Sequence, residues 1–121
     1  MRNMSFAFTT EQIRNQTKTV TRRLGWKFLR EYDLVQPIIK GMGLKKGEKV
    51  KKIGPPIRIV TVRRERLWQI ALYEHDISCE GFHNMMQAEF VEMFCRHNRC
   101  EKDDIITRIE FEYTDGPGGA G

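Results

Sequence analysis

The sequence predicts an α+β domain: a small, mostly antiparallel β-barrel with short helices flanking it. Three observations lead there. Strand-like patterns recur at both ends and in the middle of the chain, two short segments carry helical caps, and 121 residues suit one domain. With 40% apolar and 31% charged residues the chain has the balance of a globular protein. At this size it buries roughly two-thirds of the surface its unfolded form exposes, enough for a core without disulfides. The domain is expected to span residues 1–114. Residues 115–121 hold four Gly and one Pro and read as a disordered tail.

In chain order, Met4, Phe6 and Phe8 alternate with small or polar residues, the period of a half-buried strand. Thr9 and Gln12 have capping-box spacing, so a helix of one or two turns is expected through Ile13 to about Asn15. Thr17 to Thr21 is rich in β-branched residues and reads as extended. Pro37, Gly41 and Gly43 interrupt Trp26 to Leu44, which reads as a long excursion with one helical turn. Leu44 to Lys52 carries a Lys-Lys-Gly-Glu turn and then a short strand, and Gly54, Pro55 and Pro56 make the next turn. Ile57 to Arg66 is β-branched with apolar residues on both faces, as suits a barrel strand. Asn84 and Gln87 repeat the capping-box spacing. Met86, Phe90, Met93 and Phe94 then recur every three to four residues, predicting an amphipathic helix from Asn84 to about His97. Finally, Ile105, Thr107, Ile109, Phe111 and Tyr113 alternate with Arg108, Glu110 and Glu112, a strand with one apolar face.

Charge divides the chain in two. Residues 1–66 hold 17 Lys and Arg against 5 Asp and Glu, a net +12, whereas residues 67–121 hold 4 against 11, a net −7. Arg14 to Arg30 contains six cations and no acid, and Lys40 to Arg66 contains ten cations against Glu48 and Glu65. Gathered on one face, these attract an anionic partner, usually nucleic acid. Spread out, they are a solvated surface balanced by the acidic half. No apolar run reaches the ~18–20 residues of a membrane span, and Met1 to Phe8 has no signal-like apolar stretch. Three cysteines (Cys79, Cys95, Cys100) are odd in number and too few for a disulfide scaffold. The expectation is a cytoplasmic protein with no membrane partner.

The segment Lys18-Thr19-Val20-Thr21-Arg22-Arg23 is the most informative. On a regular strand Lys18, Val20 and Arg22 face one way and Thr19, Thr21 and Arg23 the other, so Lys18 and Thr21 meet only if the period breaks. Clustered cations and partial burial disfavour protonation of Lys18 and make its amine a usable base. The plainer reading is a basic strand facing phosphates. Arg22, Arg23, Lys27 and Arg30 interleave with Trp26, Phe28 and Tyr32, a mixture that contacts phosphates while stacking bases, and Arg63 and Arg64 extend the basic surface. The alternative places these aromatics in the core. His75, Cys79, Cys95, His97 and Cys100 lack zinc-knuckle spacing, so neither a metal nor another cofactor is expected.

Several pieces in order resemble the ASCH domain, a branch of the PUA-like superfamily. They are a strand, a short helix, the Lys18–Arg23 element, a hairpin at Lys46-Gly47-Glu48 and an Arg-rich strand ending Glu65-Arg66-Leu67. Glu80-Gly81-Phe82, a helix and a final Ile109-Glu110-Phe111 strand complete the series. The resemblance covers about residues 4–113 and is strongest to small single-domain members from phages and prophages. It implies a cleft in which the lysine-threonine element faces a glutamate, here Lys18, Thr21 and Glu80, with Glu74 the next candidate acid. Some members deacylate acetylated cytidine, others resemble ribonucleases, and the wider superfamily includes RNA binders and readers of modified nucleotides.

The partner so implied is RNA or a modified nucleoside or nucleotide. The site is expected at Lys18, Arg22, Arg23, Trp26, Lys27, Arg63 and Arg64. In the amidohydrolase reading Lys18 draws the proton from Thr21, Thr21 attacks the acyl carbon, and Glu80 orients or protonates the leaving amine. A third reading is a non-enzymatic phage protein that docks a host protein, acting in the host cytoplasm. Two departures stand out. Gln16 occupies the place where the family's hydrolases usually carry Gly, and they lack the excursion from Trp26 to Leu44.

Overall fold

The computed structural model describes residues 1–41 and 43–115. Among these, five strands form one mixed sheet with short helical segments around it. The elements are β1 (Arg2–Ser5), α1 (Thr10–Arg14), β2 (Val20–Arg23), β3 (Leu34–Ile38) and β4 (Ile57–Arg66). A 3-10 helix (Leu67–Leu72), α2 (Asp76–Cys79), α3 (Gln87–Asn98) and β5 (Ile105–Tyr113) complete the chain. The strand order is β1-β3-β4-β5-β2, with β1 and β3 parallel and the other pairs antiparallel.

The spine is the β4–β5 pair, whose bounds match those read from the sequence. Its register skips Val60, since Ile59 lies opposite Phe111 and Thr61 opposite Glu110. This bulge shifts the alternation of β4 by one residue, which explains the mixed pattern in the sequence. Two cores result. Met4, Phe6, Ile57, Ile59, Ile109 and Phe111 belong to the first, on one side of the sheet. Leu67, Ile70, Ile77, Phe90, Phe94 and Ile106 make the second, where α3 and the 3-10 helix pack.

The α+β class holds, and the sheet is mostly antiparallel, but its ladder does not close. β1 and β2 remain edges, so the hydrogen-bonded ladder of the described residues is an open sheet and does not by itself make the barrel expected from the sequence. Both edge strands have only four residues, because the chain turns away beyond Ser5 and Arg23. The edges still approach each other: Phe6, just past β1, lies under the Arg23 guanidinium of β2 with 4.8 Å from Cζ to the ring centre.

Other departures have local causes. Phe8 is 69% exposed because the first strand ends early. Thr9 precedes α1 but its side chain makes no cap, and Gln12 instead donates to Gly81 O across the fold at 3.1 Å. The excursion contains a strand, β3, paired to β1 despite Pro37, rather than a helical turn. The strand expected before Lys52 reduces to a single bridge between Ile38 and Lys52. Helix α3 begins three residues after Asn84, where Glu89 accepts from the Met86 amide at 3.2 Å. Of the expected tail, residues 116–121 lie outside the described residues. No helix among the described residues is long and apolar enough to cross a membrane.

Gln16 sits at φ +61°, in the left-handed region that favours glycine. The next two amides, of Thr17 and Lys18, both donate to Gln12 O, so this conformation delivers Lys18 to its position. Gln16→Gly is expected to leave stability unchanged or raise it by up to about 1 kcal/mol, whereas Gln16→Val lowers it by about 1–2 kcal/mol. Urea denaturation of the two variants checks this.

Candidate functional site

Between the two sheet edges opens a cleft of about 640 Å³. One wall comes from Ser5 to Thr9, a second from Lys18, Thr21, Arg22, Arg23, Glu80 and Phe82, and a third from α3 and its C-terminal turn, including His97 and Arg99. Phe8 meets His97 edge-on across the mouth, with ring centres 4.5 Å apart.

Lys18 lies just before β2. The Thr19 amide donates to Cys79 O at 2.8 Å, and the Tyr113 hydroxyl donates to Lys18 O at 2.5 Å. Lys18 and Thr21 both line the cleft, yet their bonds follow the alternation: Lys18 shares Glu80 with Arg22, and Thr21 pairs with Arg23. The Lys18 ammonium is buried and donates to Glu80 O at 2.6 Å and to Glu80 Oε1 at 3.1 Å. Glu80 follows α2, and the chain turns sharply at Gly81, φ +102°. A Cβ at Gly81 would stand 3.0 Å from Gln12 Cγ, so only glycine fits this close approach without a shift.

Arg22 organises the acids behind the wall. Its Nη1 donates to Glu80 Oε2 at 3.0 Å, while Nη2 reaches Asp76 Oδ2 and Glu65 Oε1, the latter at 3.4 Å. Arg108 clamps Asp76 with two bonds, from Nε at 2.9 Å and Nη2 at 3.0 Å. All six ionic residues (Lys18, Arg22, Arg108, Glu65, Asp76 and Glu80) are buried, and three cations balance three acids. Burial pulls the Lys18 amine below its ordinary range, with Glu80 only partly opposing the shift. For Asp76 burial acts upward, but hydrogen bonds and charge from Arg108 and Arg22 win and hold the carboxyl below its usual value. Arg108 is raised in turn, first by its bond to Asp76.

Thr21 is buried, and its hydroxyl accepts from Arg23 Nε at 3.1 Å. Lys18, Thr21 and Glu80 thus share one cleft, but the hydrogen-bonded pairs are Lys18 with Glu80 and Arg23 with Thr21. Burial lowers Arg23 to about 10, with Glu80 opposing. Among the described residues Arg23 has no carboxylate in ion-pair contact. The other acid, Glu74, lies on the surface beside His75 at 4.0 Å, with its side chain 89% exposed.

The remaining basic and aromatic residues read from the sequence lie elsewhere. Trp26 packs half-buried on the first core and lines a separate depression of about 400 Å³ with Arg2, Asn3, Leu24 and Phe28, and Lys27 is exposed beside it. Arg63 lies over the Tyr73 ring at 4.4 Å, and Arg64 donates to Thr107 Oγ1 at 2.6 Å. No group of three or more His, Cys, Asp or Glu that could hold a metal occurs among the described residues. Burial and Cys95 push the Cys100 thiol up to about 11, which disfavours its thiolate.

Sequence reasoning missed Asp76 and Arg108 as site supports, and the whole α3 wall. The available signal was Asp76 four residues before Glu80, a spacing that places two carboxylates on one helical face.

No protein-family model matches the chain, and no curated protein matches it. Solved structures do. The crystal structure of the hypothetical protein PH0355 aligns with a TM-score of 0.61 at 16% identity, covering 92% of this chain and 94% of that one. The ASCH domain from Lactobacillus crispatus JV V101 aligns with a TM-score of 0.58 at 16% identity, covering 92% of this chain and 77% of that one. The chain has an ASCH-like fold.

Removing Arg22 leaves three buried carboxylates short of a partner, so Arg22→Met is expected to cost about 3–5 kcal/mol. Asp76 is depressed in the fold, so its stabilisation is present above its unfolded value of ~3.9 and is lost as pH falls through the folded value. Asp76→Asn is expected to be less stable at pH 7 and to lose less stability than wild type between pH 5 and 2, as read by urea denaturation across that range.

Proposed function

We propose that the cleft binds a single unstacked nucleotide, from RNA or as a modified nucleoside or nucleotide. The observation that carries this is one cleft in which cationic and hydroxyl groups face aromatic rings. Its volume, about 640 Å³, lies within the range of small-ligand sites. Phe8 and Phe82 supply ring surfaces for a base, while Arg23, Thr21 and the Lys18–Glu80 pair supply polar contacts that fix its orientation. The buried ions of the wall neutralise one another, so Arg23, with Arg99 at the rim, remains to meet a phosphate. The ASCH-like fold and the sequence resemblance to a superfamily that includes RNA binders support the same reading.

A second reading, deacylation of acetylated cytidine, is favoured by the lowered Lys18 amine in the same cleft wall as Thr21. Lys18 is held by Glu80, so it takes the Thr21 proton only after its ammonium has lost one of its own. Glu80 Oε1, 3.1 Å from the Lys18 amine, accepts that proton and then delivers it to the leaving amine.

Fluorescence anisotropy with a short single-stranded RNA at two salt concentrations tests the binding reading. Affinity is expected to fall steeply with salt. Arg23→Ala is expected to weaken binding about 10- to 100-fold, the worth of a hydrogen bond to a charged group, and to flatten the salt slope by about one. Absence of binding by the wild type overturns the reading. Turnover of acetylated cytidine that both Lys18→Ala and Thr21→Ala abolish establishes hydrolysis in its place.

A further inference from the structure

The depression at Trp26 and the cleft lie on the same seam. Both are bounded by the two edges of the open sheet and the chain just beyond them: Ser5–Thr9 and Thr21–Arg23 line the cleft, while Arg2, Asn3, Leu24, Trp26 and Phe28 line the depression. The two stretches run in opposite directions across the gap, so following β1 from Arg2 to Phe6 leads from one site to the other. Four residues of extended chain make this about 13 Å at ~3.3 Å per residue.

At the far end the chain leaves β2 through two successive left-handed residues, Gly25 at φ +78° and Trp26 at φ +54°. This turn lays the Trp26 ring on the first core and holds Phe28 beside it, with ring centres 5.3 Å apart and planes 36° from each other. Phe28 remains 49% exposed, and the Arg2 guanidinium lies 4.1 Å from its ring centre. The result is a fixed aromatic shelf with a cation against its ring. Residues 2–9 and 21–28, which frame the seam, contain Arg2, Arg22, Arg23 and Lys27 and no acid. A polyanion carrying flat rings complements such a surface, whereas an acidic peptide supplies charge without the rings.

We propose that the Trp26–Phe28 shelf is a second base-stacking site, which takes a neighbouring base of the single strand whose nucleotide occupies the cleft. The inference rests on the cleft reading above and extends it from a nucleotide to a strand. A separation of about 13 Å far exceeds the ~3.4 Å step of stacked bases. The two bases are therefore splayed apart, and the phosphates between them pass Arg23 and Arg2. Selectivity follows: a duplex cannot present two separated bases, so the seam favours unpaired strands.

The probes are cytidine 5′-monophosphate and a mixed-sequence single-stranded RNA of nine nucleotides, titrated against wild type, Phe28→Leu and Phe28→Trp. Leucine keeps apolar bulk against Trp26 without an aromatic face, and tryptophan keeps the face. Wild type is expected to bind the nonamer more tightly than the monophosphate. Phe28→Leu is expected to weaken nonamer binding roughly 5- to 100-fold, the worth of one stacked base, with monophosphate binding unchanged. Phe28→Trp is expected to keep wild-type affinity for both. Equal nonamer binding by wild type and Phe28→Leu overturns the shelf. So does a wild type that binds the monophosphate as tightly as the nonamer, and in both cases the cleft reading stands. A wild type that binds neither probe overturns the cleft and the shelf together.

Discussion

The fork of Arg22 is the interaction on which the rest of the structure depends. From one edge strand it reaches Glu80 and Asp76 around α2 and Glu65 at the end of β4, while Arg108 of β5 grips Asp76 from the other side. Without this fork, β2 loses its side-chain tie to α2 and to the end of β4, and Glu80 keeps only Lys18 as an ionic partner. Buried ion networks of this kind add little net stability over an apolar core of the same volume. Their effect here is positional: the pairs tie β2, β4, β5 and α2 together behind the wall of the cleft.

The open sheet has a matching consequence. A closed barrel would pair β1 with β2 and fill the space between them with backbone hydrogen bonds. With both strands cut to four residues, the gap is crossed instead by side chains, Arg23 over Phe6 near one end and Arg2 over Phe28 near the other. The seam is concave and basic along residues that are otherwise sheet edges. Ligand-binding surface and missing strand pairing are two aspects of one geometry.

Much of this was legible in the sequence where a pattern is local. β4 carries dense β-branched content and β5 firm alternation, and the bounds of both were readable to the residue. Lys18, Thr21 and Glu80 were named from the resemblance, and the structure brings all three to one cleft. What was illegible depends on contacts distant in the chain. Gln12 has the spacing of a capping partner, yet Gly81 lies within reach and captures its amide. Arg108 alternates as a surface residue should, but α2 covers that face and buries it. The open ladder depends on where the chain leaves β1 and β2, which strand propensity does not encode. Gln16 shows the converse. It stands where the hydrolases of the resembled family usually carry Gly, and its backbone holds a left-handed conformation that favours glycine.

The most direct test of the cleft as the ligand site is a backbone amide NMR titration with cytidine 5′-monophosphate. The account predicts saturable one-to-one shifts gathered at residues 5–9, 18–23, 80–82 and 96–99, with the distant turn at Lys45–Glu48 unmoved. Shifts centred on that turn or on the exposed face of β4, or no saturable shift at all, would contradict it.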